Sequence, residues 1–102
     1  MDKNDIRKKI LLAIEADPVK RDIKKASVFG SYAYGTPKAD SDVDILIEFK
    51  PSAKVGLFEF VRIQKRMSDL IGKRVDLSTP AGLSKFFRDE VLKEAETVYE
   101  NW

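Results

Sequence analysis

Residues 29–49 read FGSYAYGTPKADSDVDILIEF, and the two aspartates in the second half of this stretch decide how the rest of the chain is read. Asp42 to Phe49 (DVDILIEF) is the strongest strand signal in the sequence, β-branched and aromatic residues leading to Pro51. Ahead of it, Lys25 to Gly30 reads as a short buried strand stopped by glycine. A polar, turn-rich segment from Ser31 to Ser41, holding Gly35 and Pro37, joins the two. Residues i and i+2 of a strand share a face, so Asp42 and Asp44 lie side by side while Val43 packs the other way. Two carboxylates this close raise each other's pKa unless a cation sits between them. The apolar run that starts at Ile45 sets the pair at the mouth of the core, a reasonable place for a divalent ion with oxygen ligands. Asp40, Ser41 and Asp42 also read as simple turn residues before a strand, and the DxD pattern alone does not decide between the two.

The context upstream shifts the weighing. Glycine at position 30 permits close backbone approach, and Ser31 offers a hydroxyl beside successive backbone N–H groups, so the two can form a small phosphate-binding nest. A helical turn starting at Ser31 would add free N–H groups of favourable polarity. Gly30 and Gly35 also have the GxxxxG spacing of a P-loop, but Thr36-Pro37 follow where that motif needs Lys and then Ser or Thr. The P-loop reading fails.

Composition narrows the chemistry further. The chain has 102 residues, enough for one domain spanning 1–102, and contains neither cysteine nor histidine. Disulfides, thiolate nucleophiles, zinc fingers and imidazole bases are therefore excluded. Any bound metal must be held by oxygen, which favours Mg²⁺ or Mn²⁺, and catalysis, if present, falls to carboxylates. The net charge of +2 with a pI near 8.8 suits a phosphate-bearing ligand but is no strong nucleic-acid signal. No apolar run is long enough for a membrane span and the charged start lacks a signal-peptide core, so the expected location is cytoplasmic.

Outward from the central stretch, Ile6, Ile10, Leu11 and Ile14 recur at helical spacing between Asp5 and Ala16, with Asp2 or Asn4 as cap and Pro18 as stop. Lys50 to Val55 is a loop. Gly56 to Ile71 predicts a four-turn helix whose wide apolar face holds Leu57, Phe60, Val61, Ile63, Met67, Leu70 and Ile71, ended by Gly72. Arg74 to Ser78 is a third strand. Thr79-Pro80 has the look of a helix start, and a last helix is expected from about Leu83 to Tyr99, with Phe86, Phe87, Val91, Ala95 and Val98 inward. The C-terminal Val98, Tyr99 and Trp102 either form an interface patch or cap the core. The sum is an α+β fold, a small mixed sheet covered by helices.

Asp76 is a third acid, set in the otherwise apolar strand Val75-Asp76-Leu77. Viewed alone it is an edge charge facing water. If its strand lies beside Asp42–Phe49, it completes a cluster of three carboxylates able to hold two Mg²⁺ ions, with Asp76 also the candidate general base. Lys73 and Arg74 nearby either screen a phosphate chain or are solvated surface charge.

Gly30-Ser31, ten intervening residues and Asp42-Val43-Asp44 match the GS-x₁₀-DxD signature of the DNA polymerase β-like nucleotidyltransferase superfamily. Over nearly the whole chain, through VGLFEF, GKRVDL and TPAGLSKFFRDEVLKEAETVY, the sequence resembles the minimal nucleotidyltransferase (MNT) family, whose members serve as antitoxins beside helical HEPN-type RNase toxins. The resemblance implies a polymerase β-like core and transfer of AMP from ATP to a hydroxyl, a tyrosine of the partner toxin in antitoxin members. It implies that Gly30 and Ser31 hold the nucleotide phosphates, and that Asp42, Asp44 and Asp76 are the catalytic, metal-binding carboxylates. Many relatives read GSYARG in the turn; here Tyr34 replaces that arginine, and the expectation is that it packs the turn. The lack of a second, substrate-binding domain points to a macromolecular acceptor that completes the site, and so to a homo- or hetero-oligomer. The alternatives are an inactive toxin-neutralising module, or a transferase acting on a small molecule or RNA end.

Overall fold

The computed structural model describes residues 2–101, so Trp102 lies outside the described residues. Helix α1 (Lys3–Glu15) starts where expected: the Asp2 carboxylate accepts the Asp5 N–H at 2.8 Å. Ile6, Ile10, Ala13 and Ile14 are buried on its inner face, while Leu11 turns partly outward. Strand β1 (Ile23–Phe29) leads into a 3-10 turn at 30–32, and β2 (Val43–Phe49) returns antiparallel to β1. Helix α2 (Leu57–Ile71) ends at Gly72, whose φ of 79° lets its N–H reach the Ser68 carbonyl at 2.9 Å. The chain then re-enters the sheet as β3 (Val75–Ser78), parallel to β2.

The expected long C-terminal helix breaks into two elements. A seven-residue helix, α3 (Arg88–Glu94), is followed by a strand, β4 (Glu96–Glu100), which pairs antiparallel with β1. The reason is visible in Thr97-Val98-Tyr99: β-branched and aromatic residues suit a pleated edge, and β1 offers a free ladder of donors and acceptors there. The Thr79-Pro80 start is real but caps only a 3-10 turn at 80–82, with Thr79 Oγ accepting the Gly82 N–H at 3.2 Å. Phe86 is 89% exposed and Phe87 half-exposed, against the expectation that both face inward.

The resulting four-stranded mixed sheet has the order β3-β2-β1-β4. On one face α1 and α2 cover Val28, Val43, Ile45, Ile47 and Val75 with Ile6, Ile10, Ile14, Ile63, Met67 and Ile71, forming the main core. Val98 and Tyr99 pack against this cluster, so they cap the core. The apolar face of α2 is narrower than its sequence suggests: Ile63, Met67 and Ile71 are buried, but Leu57, Val61 and Leu70 are exposed. The opposite sheet face carries a smaller cluster of Leu46, Leu83 and Val91, with Phe29 and Ala95 beside it. That second face is covered only in part, and its uncovered end is where the acidic residues lie. Among the described residues no helix is long and apolar enough to cross a membrane.

One ion pair fastens the turn after α1 to α2. The Asp17 side chain is 1% exposed and accepts from Arg66 Nε at 3.1 Å and Nη2 at 3.0 Å; Arg66 also donates to Glu59 at 3.2 Å. Removing the arginine strands a buried carboxylate whose remaining donor is the Val19 N–H at 3.0 Å. Arg66→Ala is therefore expected to cost roughly 3 kcal/mol in urea denaturation, while the exposed Leu12→Ala costs within about 0.5 kcal/mol.

Candidate active site

The site is built by the register of two parallel strands. Val43 pairs with Val75 and Asp44 with Asp76, so the strand carrying the third acid does lie beside the strand carrying the DxD pair. Val43 and Val75 point into the main core, which turns Asp44 and Asp76 to the opposite face, and Asp42, two residues before Asp44, falls on that same face. Asp42 and Asp44 are half-buried and Asp76 is exposed. Burial and the charges of Asp76 and Asp42 push the Asp44 carboxyl up from 3.8 to about 6. Such a shift marks a carboxylate that is partly withdrawn from water and set among other acids, without a cation of its own among the described residues.

Gly30 is fitted to this pair of strands. Phe29 stands opposite Asp44, and Gly30 turns out of the strand with a φ of 70°. A Cβ at this position would overlap the Asp44 carboxylate, so glycine is needed both for the turn and for the acid beside it. Ser31 follows, partly buried, in the 3-10 turn whose first carbonyl accepts the N–H groups of Ala33 and Tyr34. Tyr32 fills the core beneath the turn, at 1% exposure. Tyr34 does not pack the turn as expected: it is 52% exposed, because the buried place is already taken by Tyr32.

β3 is an edge strand, and α2 holds its outer side. The Val75 N–H donates to Ser68 Oγ at 3.0 Å and the Leu77 N–H to Gln64 Oε1 at 2.9 Å. These two side chains satisfy donors that would otherwise invite another strand, and they keep Asp76 in register with Asp44. Sequence reading missed both; the only signal was two uncharged polar residues spaced i, i+4 on a helix whose other polar residues are charged. An open groove of about 420 Å³ runs along this edge, lined by Asp42, Arg74 and Asp76 with Gln64 and Ser68 among its walls. Arg74 Nε lies 3.4 Å from Asp42 Oδ1, and Lys73 donates to the Ala39 carbonyl at 2.8 Å, tying the 38–42 loop to β3.

The donor set suits a hard cation, since every available ligand is a carboxylate oxygen. Among the described residues, no group of three or more acidic side chains is placed so as to hold a metal ion together. Asp42 is engaged with Arg74, and Asp44 and Asp76 face each other across the strands. A divalent ion thus fits by the chemistry of the donors.

The sequence matches the family described as a nucleotidyltransferase domain over residues 7–98. It is similar to a candidate protein adenylyltransferase of Methanocaldococcus jannaschii, 36% identical over 98 residues that cover 96% of this chain and 99% of that one. It is also similar to the protein adenylyltransferase MntA of Thermococcus cleftensis, 38% identical over 72 residues, or 71% of each chain. Among solved structures, a candidate minimal nucleotidyltransferase shares the fold at a TM-score of 0.75 and 30% identity, with 93% of this chain and 94% of that chain covered. A toxin–antitoxin structure with AMP-PNP gives a TM-score of 0.73 at 19% identity, covering 93% of this chain and 73% of the other. A tri-AMPylated Shewanella oneidensis HEPN toxin in complex with its MNT antitoxin gives 0.67 at 15% identity, covering 97% and 73%. At these identities the two complexes bear on the fold alone.

Two measurements check the geometry. Gly30→Ala is expected to cost about 1–3 kcal/mol, from left-handed backbone strain and collision with Asp44. Because the Asp44 carboxyl keeps its proton up to about 6 when folded and to 3.8 when unfolded, its contribution to stability falls as pH rises through that window. In chelator-treated buffer, denaturation midpoints should drop across this range for the wild type, and Asp44→Asn should flatten the drop.

Proposed function

Because the chain belongs to the nucleotidyltransferase domain family, and is thus a nucleotidyltransferase, we propose that it transfers AMP from ATP to a protein hydroxyl. The acceptor in this reading is a tyrosine of a HEPN-type toxin, and the protein is the antitoxin of that pair. The relatives named as protein adenylyltransferases support the transfer, and the fold shared with chains of toxin–antitoxin structures suggests the partner. The observation that carries it is the register that gathers Asp42, Asp44 and Asp76 on one sheet face, next to the Gly30-Ser31 turn.

In this mechanism, Gly30 and Ser31 receive the phosphates through backbone N–H groups and the Ser31 hydroxyl. Asp42 and Asp44, with Asp76, would hold two Mg²⁺ ions, which when bound supply charge stabilisation for the phosphates and the attacking hydroxyl. Asp76, on the exposed edge strand, accepts the proton of the acceptor hydroxyl. The acceptor oxygen then bonds to the α-phosphorus, the α–β phosphoanhydride bond breaks, and pyrophosphate leaves. Asp44 must be ionised to serve, and because burial and the neighbouring acids raise its pKa to about 6, a cation binding there below that pH has to displace a proton.

The test is mass spectrometry of a HEPN partner incubated with the protein, ATP and Mg²⁺. One or more AMP adducts on tyrosine are expected, and Asp42→Asn or Asp44→Asn should lower the rate at least about 100-fold, since an amide is a poor Mg²⁺ ligand. A partner that is neutralised with no adduct would instead establish the protein as an inactive binding module.

A further inference from the structure

We infer that Arg74 is a ligand for the phosphate chain of the nucleotide, and that its ion pair with Asp42 is the resting contact it leaves when the site fills. This rests on the nucleotidyltransferase reading and assigns a residue to the same site.

The register places four side chains in a square on one face of β2 and β3. Asp44 lies opposite Asp76, and one step earlier Asp42 lies beside Arg74, since the Val43 N–H donates to the Arg74 carbonyl at 2.9 Å. Three corners are acidic and the fourth is this arginine. The turn from Gly30 to Gly35 contains no basic residue, so a phosphate chain seated there gains no side-chain cation from the turn itself. Lys73, the neighbouring cation, is engaged by the Ala39 carbonyl and serves the loop.

Arg74 is differently placed. Its side chain is 80% exposed, it lines the groove with Asp42 and Asp76, and its contact with Asp42 is a single one through Nε at 3.4 Å. Exposed pairs of this kind hold weakly. A guanidinium has five N–H donors, and one contact at Nε leaves both Nη groups for a second anion. Asp42 cannot give the same oxygen fully to Arg74 and to a divalent ion. Once Asp42 takes up its role as a metal ligand, the guanidinium is released beside the most anionic part of the substrate, whose paired oxygens match its planar fork.

The test measures two affinities in the wild type, Arg74→Gln and Arg74→Lys: Mn²⁺ without nucleotide, and a non-hydrolysable ATP analogue in the presence of Mg²⁺. With the competitor for Asp42 removed, Arg74→Gln is expected to bind Mn²⁺ about 3-fold more tightly. The same variant should bind the analogue roughly 10-fold more weakly, with part of that loss recovered in Arg74→Lys. Opposite changes in the two affinities are what a merely structural arginine would not produce. An analogue affinity that is unchanged in Arg74→Gln, or a parallel weakening of both ligands, would overturn the inference while leaving the transferase reading intact. Failure of the wild type to bind the analogue would overturn the reading and the inference together.

Discussion

Asp44 and Asp76 are paired directly across two parallel strands, and like charges in that relation repel. Much of the fold serves to impose this unfavourable pairing. The valines and isoleucines that alternate with the acids are buried under α1 and α2, so a one-residue slip of β3 would expose Val75 and Leu77 and bury Asp76. The hydrophobic effect thus sets the register, and the carboxylates must accept the positions it leaves. Asp44 bears the cost of that compromise: its half-burial first, and the charges of Asp76 and Asp42 second, raise its pKa.

Polar contacts around the strands secure the arrangement. Gln64 and Ser68 bind the outer edge of β3, and Gly30 leaves space for the Asp44 carboxylate where any side chain would intrude. Asp17 and Arg66 lock the turn after α1 against the helix that carries Gln64 and Ser68. These contacts lie on different elements but act on one outcome, an acidic sheet face held in a single register.

Much of this was legible in the sequence. Gly30-Ser31, Asp42-Val43-Asp44 and the β-rich DVDILIEF are close in the chain, and strand periodicity alone sets the two aspartates on one face. Helices α1 and α2 and the Gly72 terminator follow from apolar spacing and local backbone chemistry. The C-terminal segment was not legible in the same way. Its apolar residues also fit helical spacing, and only the presence of an unpaired β1 edge makes Glu96–Glu100 a strand. Phe86 and Phe87 were expected inside as part of a helix from about Leu83, but the helix begins only at Arg88 and leaves both exposed; Tyr34 was expected to pack the turn, where Tyr32 holds the buried place.

By itself, then, the sequence determined the elements whose signals are local: the oxygen-only chemistry, the central hairpin with its turn, and the adjacency of Asp42 and Asp44. The tertiary structure alone decided what depends on residues distant in the chain. It brought Asp76 beside Asp44, set Arg74 against Asp42, gave Gln64 and Ser68 a strand to hold, and turned the last residues into an edge. The physical reason is one of range. Backbone propensity and side-chain alternation act over a few residues, whereas a sheet register is chosen by which apolar surfaces can be buried together.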